Sequence, residues 1–231
     1  MEIPGTDGGT RLLKRDLFGS VSLVDDGEAP VHILRDASAA PWWTRAVARR
    51  LARREADTLE RLRGVDGVPQ LIDFDGSVLR RSFMAGLPMH EAKPKDSAYF
   101  AAAQRLIFRL HQRGVAHNDT AKEPNWLVCD DGTPGLIDFQ LAHRSRKRGS
   151  WFRLLAREDL RHLLKHKRTY AAAALTARQR RILATPAWTS RVWARTVKPV
   201  YLLITRRVLR WSDREGAGDR GSRQALRRWR K

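Results

Sequence analysis

The spacing of apolar and polar positions predicts two helices and several short strands in the first half of the chain. Apolar residues recur at steps of three and four over 42–63 and again over 97–113, which is typical of an amphipathic helix. The stripe of the first helix consists of Val47, Leu51, Glu55, Leu59 and Leu62. Apolar runs bounded by turn formers predict strands at 17–24, 31–35, 70–74 and 77–83.

An acidic side chain, Glu55, interrupts the apolar stripe of the first helix. A half-buried carboxylate needs a cation or several hydrogen-bond donors, because an unpaired buried charge is costly. Arg35, on the preceding predicted strand, is the candidate partner. In the alternative, Glu55 lies at the edge of the stripe and bonds Arg54 or solvent.

The second half of the chain is predicted to be mainly helical. Helices are expected near 151–168, 176–184 and 189–211. The Gly-rich start, residues 1–10, is expected to be loose, and the Gly- and Arg-rich residues 212–231 are expected to be disordered.

Length and composition indicate a folded protein of one domain or two small lobes. The chain has 231 residues, of which 42% are hydrophobic. Its single cysteine, Cys129, excludes an intramolecular disulfide. No segment approaches the ~18 consecutive apolar residues of a membrane span, and the N-terminus lacks a signal-like stretch. We expect a cytoplasmic protein, with a peripheral position at the inner membrane as the alternative.

Positive charge is concentrated in the C-terminal part of the chain. Residues 144–231 hold 26 of the 45 Lys and Arg residues but only 5 of the 25 Asp and Glu residues, so the whole formal net charge of +20 lies there. A basic region of this size attracts polyanions. We expect an anionic lipid or RNA as a partner of this region, unless the arginines only reflect a genome that encodes Arg where Lys would serve.

The residues around 125–138 predict a hairpin with polar groups at its open end. An apolar run at 126–129 is followed by the turn formers 130–134, and the chain then returns to Asp138. Folding this hairpin brings the amide of Asn125 beside the carboxylate of Asp138. Mg²⁺ prefers a few oxygen ligands of this kind together with phosphate oxygens. The alternative is a surface hairpin with incidental polar ends.

Two motifs resemble those of the protein-kinase-like superfamily. His117-Asn118-Asp119 with Lys122 and Asn125 resembles the catalytic loop, and Asp138-Phe139-Gln140 resembles the metal-binding triplet. The match covers about 17–164 and is most similar to compact atypical bacterial kinases. These are the RIO-type serine/threonine kinases and the kinases that phosphorylate Kdo or heptose in the lipopolysaccharide core.

The resemblance implies an α+β, bilobal protein-kinase-like fold, with a small antiparallel-sheet N-lobe plus one helix and a reduced, mainly helical C-lobe. The implied boundaries are 1–10 for a flexible N-terminus, 11–85 for the nucleotide-covering N-lobe, 86–211 for the C-lobe with the catalytic loop, and 212–231 for a basic disordered tail.

The resemblance also implies roles in the C-lobe for an ATP- and Mg²⁺-dependent reaction. Asp119 would orient the attacking hydroxyl, and Lys122 would neutralise charge on the transferred phosphoryl group. Asn125 and Asp138 would ligate Mg²⁺. His117 is expected to be structural, bracing the metal-binding triplet.

In the N-lobe, the resemblance implies that Gly19, Arg35 and Glu55 bind the nucleotide. Gly19 lies where a Gly-rich loop would cover the phosphates. Arg35 stands where the family has a lysine that grips the phosphates, and Glu55 is its ion-pair partner. The segment 84–88 would be the hinge between the lobes.

Three departures from the family pattern are visible in the sequence. Asn125 follows Asp119 by six residues instead of five, so one extra residue must bulge. Gln140 replaces a glycine, which suggests one settled conformation of the triplet. Arg35 replaces the usual lysine, and the two cations are not interchangeable at such sites.

Asp159 follows Asp138 by only 21 positions, and no Ala-Pro-Glu triplet lies between them. Asp159 therefore resembles the helix-borne acid that anchors the catalytic loop in this superfamily. In the alternative it is an acid at a helix N-terminus, favoured there by the helix dipole.

The function expected first is an atypical serine/threonine protein kinase that transfers the γ-phosphoryl group of ATP to a hydroxyl. A lipopolysaccharide-core sugar kinase at the cytoplasmic membrane face is the first alternative. A weakly active or inactive pseudokinase that serves as a binding module is the second. A pure nucleic-acid-binding protein comes last, because it leaves the acid, amide and second acid unexplained.

Overall fold

The computed structural model describes residues 9–25, 27 and 30–184, and its N-terminal part is a five-stranded antiparallel sheet with one helix. The strand order is β1-β2-β3-β5-β4. In chain order the elements are β1 (Gly9–Asp16), β2 (Gly19–Asp25), β3 (His32–Asp36), α1 (Arg45–Arg61), β4 (Leu71–Phe74) and β5 (Val78–Ser82).

The following residues form a mainly helical part with two short sheets. Its elements are β6 (Leu87–Pro88), α2 (Met89–Ala92), α3 (Ser97–Gln112), β7 (Val115–Ala116), a 3-10 helix (Glu123–Asn125), β8 (Trp126–Val128), β9 (Pro134–Leu136), β10 (His143–Arg144), α4 (Ser150–Tyr170) and a second 3-10 helix (Ala172–Ala174). Strand β7 pairs with β10, and β8 pairs with both β6 and β9. The two-part α+β arrangement expected from the sequence is therefore present.

The first hairpin begins earlier than the sequence pattern predicted. The strand predicted at 17–24 starts at Gly19, and the preceding residues Leu17 and Phe18 form the turn. Strand β1, over Gly9–Asp16, was not predicted, because most of its side chains are exposed and polar and give no apolar alternation. The remaining N-terminal strands agree with the prediction to within one or two residues.

Helix α1 packs on the sheet through small side chains. Its buried residues are Ala48, Ala52, Glu55, Ala56, Thr58 and Leu59. The predicted stripe was wrong at its start, since Val47 is 50% exposed. Alanine contributes little to an apolar pattern, but it lets the helix approach the sheet closely. Glu55 and Leu59 keep their predicted inward positions.

The main core lies between α3, α4 and the β8–β9 hairpin, with the end of α1 packed against it. Trp126, Phe139 and Leu163 are almost completely buried in this cluster, together with Leu59 of α1. In the hairpin, Trp126 pairs with Leu136 and Val128 with Pro134. The hydroxyl of Tyr99 on α3 donates to the carbonyl of Leu127 at 3.0 Å, which attaches α3 to the same hairpin.

Helix α5 (Ala177–Ala184) belongs to a second compact unit that begins at Thr176, and it confirms the helix predicted at 176–184. The helix predicted at 189–211 and the tail predicted at 212–231 lie outside the described residues, as do residues 1–8 of the predicted flexible start. No helix in the described part of the chain is long and apolar enough to cross a membrane.

Candidate active site

The predicted catalytic residues of the loop between β7 and β8 contact one another directly. The amide Nδ2 of Asn125 donates to the carbonyl and to Oδ2 of Asp119, each at 3.0 Å. The ammonium of Lys122 lies 3.1 Å from the same Oδ2. The amide of Asn125 and the ammonium of Lys122 thus both contact the carboxylate of Asp119, and the three residues form one cluster.

The six-residue spacing from Asp119 to Asn125 is accommodated by two consecutive tight turns. The N–H of Lys122 donates to the carbonyl of Asp119 at 3.4 Å, and the N–H of Asn125 donates to the carbonyl of Lys122 at 3.2 Å. The second turn is the 3-10 helix Glu123–Asn125. The extra residue is therefore absorbed before β8 begins, and Asn125 still reaches Asp119.

Asp159 anchors the start of this loop. Its two carboxylate oxygens accept the N–H groups of His117 and Asn118, both at 2.8 Å. Oδ2 also lies 3.2 Å from Nε2 of His111. Helix α4 begins at Ser150, so Asp159 lies in its middle. The alternative of a helix N-terminal acid is wrong, and the anchoring role is confirmed.

The carbonyl of Thr120 joins the loop to two further elements. It accepts the indole N–H of Trp126 at 3.1 Å and a ring N–H of His166 on α4 at 2.9 Å. One helical turn further along α4, the hydroxyl of Tyr170 donates to Glu123 at 2.7 Å. Helix α4 therefore holds the loop both before and after Asp119.

His117 has the structural role that the sequence suggested. It is completely buried, and its ring lies at 69° to that of Phe139 with 4.7 Å between the ring centroids. Nε2 lies 3.1 Å from the carbonyl of Ile137, and the N–H of Asp119 donates to Nδ1 at 3.3 Å. These partners select the tautomer that carries its proton on Nε2. His117 thus connects the catalytic loop to the metal-binding triplet.

Asp138 has a left-handed backbone and a carboxylate that stays ionised. Its φ is 69°, a conformation that Asp adopts more readily than most residues. Burial alone would raise the pKa of Asp138, but the neighbouring cationic groups, of which Arg35 acts most strongly, outweigh burial and hold the pKa below its ordinary value. A carboxylate surrounded by cations is suited to a ligand that brings both a metal ion and phosphate groups.

The donor set at the open end of the hairpin fits Mg²⁺. The N–H of Ile137 donates to the carbonyl of Asn125 at 2.9 Å, so the hairpin brings Asn125 to the residue before Asp138. Both hydrogen bonds of the Asn125 amide nitrogen go to Asp119, which leaves the amide oxygen for a cation. Among the described residues no group of three His, Cys, Asp or Glu side chains could hold a metal ion. Mg²⁺ would therefore be held by Asn125, Asp138 and phosphate oxygens, as is usual for this ion.

In the N-terminal part, the predicted ion pair between Arg35 and Glu55 is confirmed. Nε of Arg35 lies 3.2 Å from Oε2 of Glu55, whose side chain is fully buried. A second arginine, Arg81 on β5, lies 3.3 Å from Oε1 of the same carboxylate. The sequence analysis missed Arg81. Its inward position could have been read from β5, because it follows the buried Leu79 by two residues.

The two departures at positions 35 and 140 are in contact with each other. With its amide oxygen facing β3, the side chain of Gln140 contacts the guanidinium group of Arg35. A glycine at position 140 could not make this contact, and the ammonium of a lysine could not span it in the same way. The residue after Phe139 thus ties the metal-binding triplet to β3.

Gly19 follows the turn between β1 and β2, and the local backbone of the folded protein requires a glycine there. Its φ is 113°, and a Cβ at this position would lie 2.0 Å from the carbonyl oxygen of Asp36. This close approach to the end of β3 explains the glycine without a ligand. Its contribution to phosphate binding stays a prediction.

Comparisons with known proteins agree with this geometry. A family model described as the RIO domain matches residues 35–179, which is more than half of the chain. Among solved structures, the Rio2 kinase from Chaetomium thermophilum is similar with a TM-score of 0.56 and 15% sequence identity. That match covers 95% of this chain and 72% of the other, and it confirms the bilobal kinase-like fold. A search of curated proteins finds no match.

Proposed function

This chain belongs to the RIO domain family of atypical kinases, and on that premise we propose that it is an ATP- and Mg²⁺-dependent phosphotransferase acting on a hydroxyl acceptor. The observation that carries the proposal is the cluster of Asp119, Lys122 and Asn125 around one carboxylate oxygen. Phosphoryl transfer needs mainly positioning and neutralisation of charge, and this cluster can supply both.

Each residue of the cluster has a distinct task in the proposed reaction. Asp119 is only partly exposed, with 13% of its side chain accessible, and it accepts the hydrogen bond that aligns the acceptor hydroxyl. Lys122 is 46% exposed, so its ammonium can follow the transferred group. Asn125 holds Asp119 in place through Nδ2. Bound Mg²⁺ would supply charge neutralisation at the phosphates, and Asn125 and Asp138 would hold it.

The nucleotide would bind between this cluster and the N-terminal sheet. Arg35 and Glu55 place a cation beside Asp138, where the phosphates of ATP need one. The turn before Gly19 lies at the start of the sheet, next to the end of β3. The segment 84–88 enters β6, and its backbone is proposed to bond the adenine ring.

For the acceptor, we propose a serine or threonine of a protein in a reduced, cytoplasmic setting. A second candidate is a hydroxyl of the lipopolysaccharide core, which is anionic. The cationic end of α4 favours an anionic acceptor. This end packs on the catalytic loop through His166 and Tyr170. Burial, and then the neighbouring cations Arg161 and Arg168, lower the pKa of Lys165 there. Such mutual repulsion is relieved when an anion binds.

The proposal is tested with purified protein, labelled ATP and Mg²⁺, offered separately to a cell lysate and to lipopolysaccharide. We expect the wild type to transfer the label, and Asp119→Asn to lose about 10²–10⁴-fold in rate while keeping its affinity for ATP. Asp138→Asn should lose Mg²⁺-dependent ATP binding as well. Asp66→Asn, whose side chain is 96% exposed, is the matched control and should be unaffected.

Three outcomes are distinguishable. Transfer to one of the two samples identifies the acceptor class. ATP binding without transfer to either sample would identify a pseudokinase, in keeping with the exchanges at Arg35 and Gln140. Absence of ATP binding by the folded wild type would refute the proposed function.

A further inference from the structure

A buried arginine, Arg81, lies beside the Arg35–Glu55 pair and has no task in the reaction proposed above. Only 9% of its side chain is exposed, and its Nε lies 3.3 Å from Oε1 of Glu55. The other oxygen of Glu55 lies 3.2 Å from Nε of Arg35. One buried carboxylate therefore faces two guanidinium groups.

Both arginines project from the same face of the sheet. In the ladder between β3 and β5, Arg35 is opposite Leu79 and Arg81 is opposite Ile33. Directly opposed residues share a face, and residues two apart in a strand also share one. This face is the one that α1 covers with Glu55. The arrangement of two cations and one acid is thus built into the register of the sheet.

The contacts of the two arginines with Glu55 are ion pairs without directional hydrogen bonds. Within the described part of the chain, the two carboxylate oxygens of Glu55 and the Nε of Arg81 make no hydrogen bond of good geometry. A bidentate arginine–carboxylate pair would be held more firmly. Arg35, in contrast, also contacts the neutral amide of Gln140.

Because two cations contact the carboxylate of Glu55, Arg35 can leave it without leaving a buried charge uncompensated. A buried carboxylate with a single cation cannot release it, because the remaining charge would be uncompensated. Here Glu55 keeps Arg81 when Arg35 leaves. Departure of Arg35 also relieves a repulsion, since burial and then the neighbouring Arg35 lower the pKa of Arg81.

We propose that Arg81 is a positioning residue that neutralises Glu55, so that Arg35 is free to bind the phosphates of a nucleoside triphosphate. The inference rests on the proposed function, because it concerns the nucleotide site of that same reaction. Gln140 receives the guanidinium of Arg35 when no nucleotide is bound. As a neutral amide it adds no charge that would hold Arg35 back from an anion.

The test compares the affinities for ATP and for adenosine, whose ratio isolates the contribution of the phosphates. In Arg81→Met, Arg35 becomes the sole counter-ion of Glu55. We expect the affinity for ATP to fall at least about tenfold, a factor that corresponds to ~1.4 kcal/mol, while the affinity for adenosine is unchanged. Arg80→Met is the matched control, because Arg80 is the next residue of β5 and pairs with the half-exposed Asp73 at 2.6 Å.

A double variant separates this role from mere structural support. Glu55→Gln added to Arg81→Met removes the charge that retains Arg35, so most of the lost ATP affinity should return. If Arg81 only stabilised the fold, Arg81→Met would lower the melting temperature and both affinities alike, and the second substitution would restore nothing. That result would overturn the inference.

Two further results complete the test. If Arg81→Met does not fold, Arg81→Lys is compared with Arg81→Gln. The lysine variant should keep the wild-type ratio of ATP to adenosine affinity and the glutamine variant should lower it, and equal ratios would overturn the inference. If the wild type binds ATP and Arg81→Met keeps the wild-type ratio, only the inference about Arg81 fails. If the wild type binds no ATP, the proposed function and this inference fail together.

Discussion

The carboxylate of Asp159 accepts the backbone N–H of Asn118 at 2.8 Å, although the two residues lie 41 positions apart in the chain. Asn118 has a φ of 62°, a left-handed conformation that asparagine adopts more readily than most residues. The bond fixes this conformation one residue before Asp119. Helix α4 thus positions the catalytic loop through Asp159, which itself has no chemical role in the proposed reaction.

Replacing Asp159 should destabilise the protein and misplace the loop. Asp159→Asn keeps one acceptor oxygen and turns an NH₂ group toward either the N–H of His117 or that of Asn118. Leaving one such N–H unsatisfied should cost about 1–3 kcal/mol. Urea denaturation measures this loss, with Asp66→Asn as the exposed control, expected within about 0.5 kcal/mol of wild type. Equal losses in both variants would show that the anchor contributes nothing.

Gly19→Ala should destabilise the N-terminal sheet more than the same change at another turn. At Gly19 the new methyl group would lie 2.0 Å from a backbone oxygen of Asp36, in addition to the unfavourable φ of 113°. Gly76 has a φ of 100° but nothing within 4 Å of the added atom. Gly76→Ala should therefore show only the backbone strain, ~1–2 kcal/mol. Thermal melts of both variants measure the difference, and equal melting temperatures would contradict the close approach.

Stability should decrease as the pH falls through the range in which histidine titrates. Burial is the main reason that the pKa values of His162 and His166 are below their ordinary value. The unfolded chain then binds protons at a higher pH than the folded one. The stability is thus complete above about pH 6.5 and is lost as the pH falls below it.

Melting temperatures between about pH 7.5 and 5.5 measure this dependence. The double variant His162→Gln/His166→Gln should show a clearly flatter profile, since glutamine keeps a hydrogen-bond donor without titrating. An identical slope in the variant and the wild type would assign the effect to other groups.

Removal of residues 212–231 should weaken the binding of a polyanion and leave the affinity for ATP nearly unchanged. The sequence concentrates its positive charge after residue 144, apart from the residues proposed for the chemistry. With RNA as the probe, log affinity should fall against log salt with a slope of roughly −0.7 to −0.9 for each neutralised phosphate. Anionic vesicles serve as the second probe. Binding that is insensitive to salt would show that the charge serves another purpose.

The sequence by itself determined the order of the chemical groups and much of the architecture. The hairpin pattern placed Asn125 and Asp138 together at its open end, and Asp119 and Lys122 were identified by the resemblance of their loop to the catalytic loop of protein-kinase-like proteins. Neighbours that are close in sequence meet through local backbone geometry, and the apolar period of α3 and α4 is a local property as well. The Arg35–Glu55 pair followed from an acid on an apolar face that required a cation.

Only the tertiary structure decided which residues far apart in the chain contact the same charged group. The strand register of the sheet brings Arg81 to the carboxylate of Glu55, and the path of the chain after Phe139 brings Gln140 to Arg35. The exposure of Val47 likewise depends on how closely the alanines of α1 approach the sheet. Such contacts join residues far apart in the chain, and their energies depend on burial and on all nearby charges together, which no local pattern encodes.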